Sequence, residues 1–207
     1  MHIPDGLIPF EQAMVYLVVS LIIVAVSFYY VSKKTDMESR LVLSGVLTAI
    51  TVVATSVTIP SPMGIPMHFF IIPLVVLILG PFNAILVSFL SLLVQALGIG
   101  EGGITTLGIN VLDMGIILSC VVYFVYKLFS SINERFAVFS STVAGILAAT
   151  LIQILILVLA NTTSLEVLLG SLLPYYLMIG IIEGIANVII LEFISRTNNN
   201  ILEIEKV

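Results

Sequence analysis

Seven apolar runs, separated by short polar stretches, decide what this chain can fold into. They cover Gln12–Ser32, Leu41–Thr58, Met67–Leu79, Phe82–Leu97, Asn110–Phe129, Ala137–Leu159 and Leu168–Ile194. A transmembrane helix needs about 20 predominantly apolar residues, and roughly 17 is near the lower limit. The chain is 60% hydrophobic and only 9% charged, whereas a soluble domain carries about 25% charged residues. We therefore predict an all-α, polytopic membrane bundle of seven transmembrane helices, with residues 1–207 forming a single integral membrane domain.

The positions of the basic residues predict the orientation of this bundle. Loops on the cytoplasmic side of a membrane are enriched in Lys and Arg. If all seven runs cross and the N-terminus is outside, all seven basic residues fall on the cytoplasmic side. If the third run, which has only 13 residues, turns back instead, four of them move outside. The basic residues are Lys33, Lys34, Arg40, Lys127, Arg135, Arg196 and Lys206. We predict a multi-pass protein of the cell membrane with its N-terminus outside and its C-terminus cytoplasmic.

The first residues of the chain carry the donor atoms of a metal chelate. The amine of Met1, the backbone nitrogen of His2 and the His2 ring nitrogen Nδ1 can occupy three corners of a square plane. His68 is the second of only two histidines in the chain, and its ring can occupy the fourth corner. A set of four nitrogens in a plane selects Ni²⁺ or Cu²⁺, and Co²⁺ when a further ligand joins. We predict that residues 1–11 form a metal-binding segment and that Met1, His2 and His68 are the ligands.

Several polar residues lie in or beside the apolar runs. Acidic groups inside a membrane are costly and are functional candidates by default, which singles out Asp113 and Glu183. Asn110 lies one helical turn before Asp113, and Glu101 lies in an outer glycine-rich loop that we place at residues 98–108. These four residues either support the metal ligands, contact a partner subunit or form hydrogen bonds between helices.

Two classes of activity lack their sequence motifs. The chain has no HExxH and no third histidine, so a zinc hydrolase site is not supported. It has no GxxxxGK[ST] loop for ATP. We therefore expect no enzyme activity, and any import against a gradient must draw on a partner protein or an ion gradient. A net charge of −5 and a membrane composition also make nucleic acid an unsuitable partner.

Three stretches of the sequence resemble one transporter family. MHIPDGLIP, HFFIIPLVVLILGP and above all GIGEGGITTLGINVLDMG are similar to the CbiM/NikM family, the substrate-binding membrane subunits of cobalt and nickel energy-coupling-factor (ECF) transporters. The resemblance implies capture of Ni²⁺ or Co²⁺ as the transported substrate, with no organic cofactor and with ligands at Met1, His2 and His68. It also implies partners in the bilayer and beside it: a transmembrane coupling subunit, two ATPase subunits and often a small accessory membrane subunit.

Two other functions fit the residues without that resemblance. A self-contained secondary transporter or channel would use Glu183 and Asp113 as an ion or proton path and would need no partner subunit. A metal-sensing or purely structural membrane protein would bind metal without moving it across the membrane.

Overall fold

The computed structural model describes residues 2–57 and 68–197, and this part of the chain is all-helical. The helices are α1 (Phe10–Ser32), α2 (Met37–Ser56), α3 (Ile72–Leu79), α4 (Pro81–Ile99), α5 (Leu107–Phe129), α6 (Glu134–Leu159) and α7 (Leu165–Thr197). All of them except α3 are long and apolar enough to cross a membrane. The predicted all-α membrane bundle is confirmed, and six of its helices, instead of the predicted seven, have spanning length.

The third apolar run differs most from its prediction. Met67, its predicted start, lies outside the described residues, and α3 begins only at Ile72. Eight helical residues extend over roughly 12 Å, well short of the ~30 Å hydrocarbon core. Ile71 has a left-handed conformation with φ 61°, so the helix cannot include the residues before it and begins at Ile72. Gly80, with φ 84°, ends the helix. All eight residues of α3 are buried, so this helix has no face left for lipid.

Two buried hydrogen bonds define how α2 and α4 run. Near the end of both helices, the Gln95 side-chain amide donates to the Thr55 hydroxyl at 2.7 Å. In the first half of both, the Asn83 amide donates to the Ser44 hydroxyl at 3.1 Å. The two helices are therefore parallel, and the chain between them has to return from one end of the bundle to the other.

Residues 68–79 make the last part of this return as a non-helical stretch, 68–71, followed by α3. The return ends where α1 ends, because Tyr30 stacks on Phe82 with ring centroids 4.8 Å apart. Non-helical backbone at membrane depth is tolerated only where protein surrounds it. His68 and Phe70 are buried accordingly, which places a histidine inside the bundle near one of its ends.

Close helix contacts position α5, which carries part of the candidate site. Gly108 lies directly against Leu17 of α1, so a Cβ at this position would overlap the Leu17 backbone. Ser20 of α1 also donates a hydrogen bond of 2.7 Å to the Gly108 carbonyl. Small residues allow membrane helices to approach in this way, and here they fix the start of α5 relative to α1.

Candidate metal centre

The only two histidines of the sequence meet in space. The rings of His2 and His68 stack with centroids 4.8 Å apart and an interplanar angle of 20°. The Nε2 atom of His2 is buried and has no hydrogen-bond partner among the described residues. The Nδ1 atom of His68 lies 2.9 Å from the Phe69 carbonyl oxygen. The predicted chelate uses the other ring nitrogen of His2, Nδ1. What suits the arrangement to a metal ion is that two imidazoles 66 positions apart in the sequence lie side by side.

The protonation of His2 also suits a metal ion. Burial lowers the pKa of the His2 imidazole to about 3, so the ring is neutral at pH 7. Only a neutral imidazole nitrogen offers a lone pair to a metal. Met1, the third predicted ligand residue, lies outside the described residues.

Asn110 of α5 binds the backbone beside His2. Its side-chain oxygen accepts a hydrogen bond of 2.8 Å from the Ile3 amide, and its side-chain nitrogen donates one of 3.2 Å to the Ile3 carbonyl. The Thr106 hydroxyl donates a further bond of 2.6 Å to the same carbonyl. Both backbone groups of Ile3 are thus paired inside the bundle, and His2 is presented from a fixed stretch of backbone.

The glycine-rich loop contacts this stretch through Asp5. The Asp5 carboxylate accepts hydrogen bonds from the backbone amides of Ile104 (3.1 Å), Thr105 (2.9 Å) and Thr106 (3.4 Å), and from the Thr105 hydroxyl. These bonds, that of the Thr105 hydroxyl above all, lower the pKa of Asp5. A carboxylate at the amide groups that precede a helix also interacts favourably with the helix dipole.

Two glycines of the loop allow this close approach. A Cβ added to Gly103 would overlap the Asp5 carboxylate, and one added to Gly102 would lie 3.4 Å from the His2 Cβ. The loop therefore lies directly on the N-terminal segment. Sequence reasoning missed Asp5. Its signal was an acid three residues after His2 combined with a Thr-Thr pair just before α5.

Glu183 of α7 binds the backbone beside His68. Its two carboxylate oxygens accept hydrogen bonds of 2.8 Å from the Phe70 amide and 2.9 Å from the Ile71 amide. Asn187, one turn further along α7, instead donates to the Thr142 hydroxyl at 3.1 Å. Of the alternatives for Glu183, the structure therefore favours support of the segment that carries a predicted ligand.

The remaining two candidates lie apart from these contacts. Glu101 accepts a long hydrogen bond of 3.4 Å from Gln95. Asp113 is fully buried within a π-helical stretch of α5, Leu112–Ile117. One of its oxygens accepts from the Met114 amide at 2.6 Å, while the other has no partner among the described residues. Nor do three or more His, Cys, Asp or Glu side chains converge anywhere in 2–57 or 68–197, so a carboxylate-rich metal site is not formed there.

Comparisons with known proteins relate the chain to metal-transport proteins. Residues 2–201 match the family model CbiM, described as the cobalt uptake substrate-specific transmembrane region. The chain is 30% identical to the cobalt transport protein CbiM of Clostridium tetani, across 99% of this chain and 88% of that protein. It is 27% identical to an Archaeoglobus fulgidus protein named as a fused nickel transport protein, NikMN, across 98% of this chain and 68% of that protein.

A solved structure has a similar fold. The crystal structure of a truncated transition metal transporter superposes with a TM-score of 0.87 at 26% identity. The superposition covers 95% of this chain and 99% of that chain.

Proposed function

Because the chain belongs to the CbiM family of cobalt-uptake transmembrane proteins, we propose that it captures Ni²⁺ or Co²⁺ as the substrate-binding subunit of an ATP-driven ECF importer. The observation that carries this proposal is the stacked pair His2 and His68, whose ring centroids lie 4.8 Å apart. The protein is then a binding component of a transporter and not an enzyme.

The proposed ligand set consists of four nitrogens. It comprises the Met1 amine, the backbone nitrogen and ring of His2, and the ring of His68. The contacts of Asn110 and Glu183 support the set, because they fix the backbone next to each histidine before the metal arrives. Nickel suits a planar set of nitrogens, and the relatives include proteins named for cobalt and for nickel transport.

The proposed orientation places the N-terminus outside and the C-terminus in the cytoplasm. The return of residues 68–79 through the bundle supports seven passages of the chain, six made by long helices and one by a buried non-helical stretch and α3. Seven passages leave every Lys and Arg on the cytoplasmic side, as the positive-inside rule requires. His2 and His68 then face the side from which a metal would arrive.

The proposed partners are a transmembrane coupling subunit, two ATPase subunits and a small accessory membrane subunit. The sequence carries no phosphate-binding loop of its own, so the energy for import comes from the ATPases. Metal binding ties the N-terminal segment to His68 and closes the outer face, and the partners then reorient the bundle and release the ion inside.

Titration calorimetry with Ni²⁺ and Co²⁺ on the detergent-purified chain tests the binding site. We expect tight one-to-one binding that is lost in His68→Ala and in a variant with one alanine added before Met1, because the first lacks a ring and the second displaces the amine. Asn83→Ala, at the other end of the bundle, is the control and should bind as the unmodified chain does. Binding retained in both site variants would contradict the ligand set.

Uptake into liposomes separates the importer from a self-contained transporter. The proposal expects uptake only when the coupling and ATPase subunits are present. Transport by the purified chain alone under a proton gradient would instead favour an ion path through Asp113. The carboxylate oxygen of Asp113 that has no partner among the described residues is the observation that supports this alternative. Glu183 is less suited to such a path, because both of its oxygens already bind backbone amides.

A further inference from the structure

We propose that Glu183 is the positioning residue that holds the His68 ring in place for the metal, so that α7 governs this ligand. The inference rests on the proposed function, because it concerns how one of the proposed ligands is presented. It adds a role for a side chain that does not touch the metal.

The contacts of Glu183 concentrate on two consecutive amides. Each carboxylate oxygen takes one of them, Phe70 at 2.8 Å and Ile71 at 2.9 Å. Glu183 is 2% exposed, so the carboxylate has little access to water. Two hydrogen bonds to one buried side chain fix the direction of the backbone at residues 70–71.

The backbone at this point needs such a partner. The first amides of a helix lack partners within the helix, and Ile71, which precedes α3, provides no side-chain cap. Ile71 also has a φ of 61°, a conformation that is a genuine outlier for a β-branched residue. Such conformations persist only where the surroundings impose them. Without the carboxylate, the amides of Phe70 and Ile71 would lose their partner and the strained turn would relax.

A second contact with α7 reinforces the first. The Phe70 ring lies between the rings of His68 and Tyr176, with both centroid distances at 5.7 Å. Tyr176 precedes Glu183 by seven residues, which is two helical turns and therefore the same face of α7. Helix α7 therefore contacts residues 68–71 in two ways, through their backbone amides and through the Phe70 ring.

The two histidines consequently depend on two different helices. Asn110 ties the backbone beside His2 to α5, and Glu183 ties the backbone beside His68 to α7. A displacement of α7 relative to α5 would separate the two rings without changing either of them.

Cu²⁺ bound to the purified chain provides a test, because its electron paramagnetic resonance spectrum distinguishes four nitrogen ligands from three. In Glu183→Ala we expect the signature to change from four nitrogens to three and the affinity to fall to that of His68→Ala. The double variant Glu183→Ala/His68→Ala should bind within about twofold of His68→Ala alone. The losses in binding free energy add when two residues act independently, but not when one residue acts through the other. Glu183→Gln keeps one acceptor oxygen and should restore part of the affinity.

Asn187→Ala is the matched control, because Asn187 is buried on the same helix, one turn on, and binds Thr142 instead. It should keep the four-nitrogen signature. Four nitrogens retained in Glu183→Ala, or losses that add in the double variant, would overturn the inference.

Amide hydrogen exchange of the metal-free protein tests the same contact independently of metal binding. Exchange at Phe70 and Ile71 should accelerate in Glu183→Ala and Glu183→Gln but not in Asn187→Ala. Unchanged exchange at these two amides would also overturn the inference. An unmodified chain that binds no metal would contradict the proposed function instead, and the exchange result would still report on the Glu183 contact.

Discussion

Two short non-helical stretches each present a histidine, but they are anchored in opposite ways. Residues 2–5 are attached at many points: a buried amide side chain, a buried hydroxyl and an exposed carboxylate all bind them. In residues 68–71, the buried carboxylate of Glu183 binds two consecutive amides, and the Phe70 ring contacts Tyr176. The contrast indicates that damage to the first stretch should be graded, whereas loss of the Glu183 carboxylate should release two amides of the second stretch at once.

The largest effect on the first stretch is expected from Asn110→Leu. The substitution keeps the approximate size but removes both bonds to Ile3, and it leaves the buried Ile3 amide unpaired at a cost of about 1–3 kcal/mol. Ni²⁺ affinity measured by calorimetry should fall roughly 5- to 150-fold. Thr106→Val should cost less, because the Ile3 carbonyl keeps its bond from Asn110. Equal losses in the two variants would show that the attachment is not graded.

The protonation of the His2 ring provides the next test of how the first stretch is docked. Burial lowers the pKa of the ring to about 3, whereas an exposed histidine titrates near 6.5. The docked segment is therefore fully stable above about pH 6.5 and loses stability as the pH falls below it, because only the undocked ring takes up a proton. Metal affinity should nevertheless rise between pH 6 and 8, because the terminal amine has to lose its proton to bind metal. With an amine pKa near 7.8, this effect by itself gives a rise of roughly 40-fold.

Nuclear magnetic resonance of ring-labelled, metal-free protein measures this directly. The His2 ring should show no midpoint near pH 6.5, while a peptide of residues 1–11 should show one. A midpoint near 6.5 in the folded protein would mean that the first stretch does not dock in the absence of metal.

The smallest effect is expected from the exposed anchor of the first stretch. Asp5→Asn removes the charge but retains an acceptor oxygen, so the affinity should change by no more than about threefold, in line with weak exposed charge interactions. The pKa of Asp5 is lowered by its hydrogen bonds, so its contribution is complete above the ordinary value of 3.8 and disappears as the pH falls below it. Exchange at the Thr105 amide, followed from pH 7 to 3, should show this loss in the unmodified chain. An Asp5→Asn variant with the same pH dependence would exclude Asp5 as its source.

Much of this molecule could be predicted from local sequence. The spanning helices are long apolar runs, and the chelating residues stand out because the chain has two histidines. Support of the metal ligands was one of the predicted roles of Glu183. Its contacts and those of Asp5 could not be predicted, because their partners lie about 100 or more positions away in the sequence. The third run was predicted to be helical from Met67, yet α3 begins at Ile72. Hydrophobicity does not encode the left-handed turn at Ile71 or the carboxylate that binds it.

The burial of α3 has a consequence for how the chain is made. An eight-residue helix is too short to span a bilayer by itself, so α3 reaches its buried position only when its neighbours in the bundle surround it. The amides that precede it remain without their carboxylate until Glu183 is synthesised, more than 100 residues later. The part of the site that carries His68 therefore forms last, and a chain still under synthesis does not yet have the complete metal-binding site.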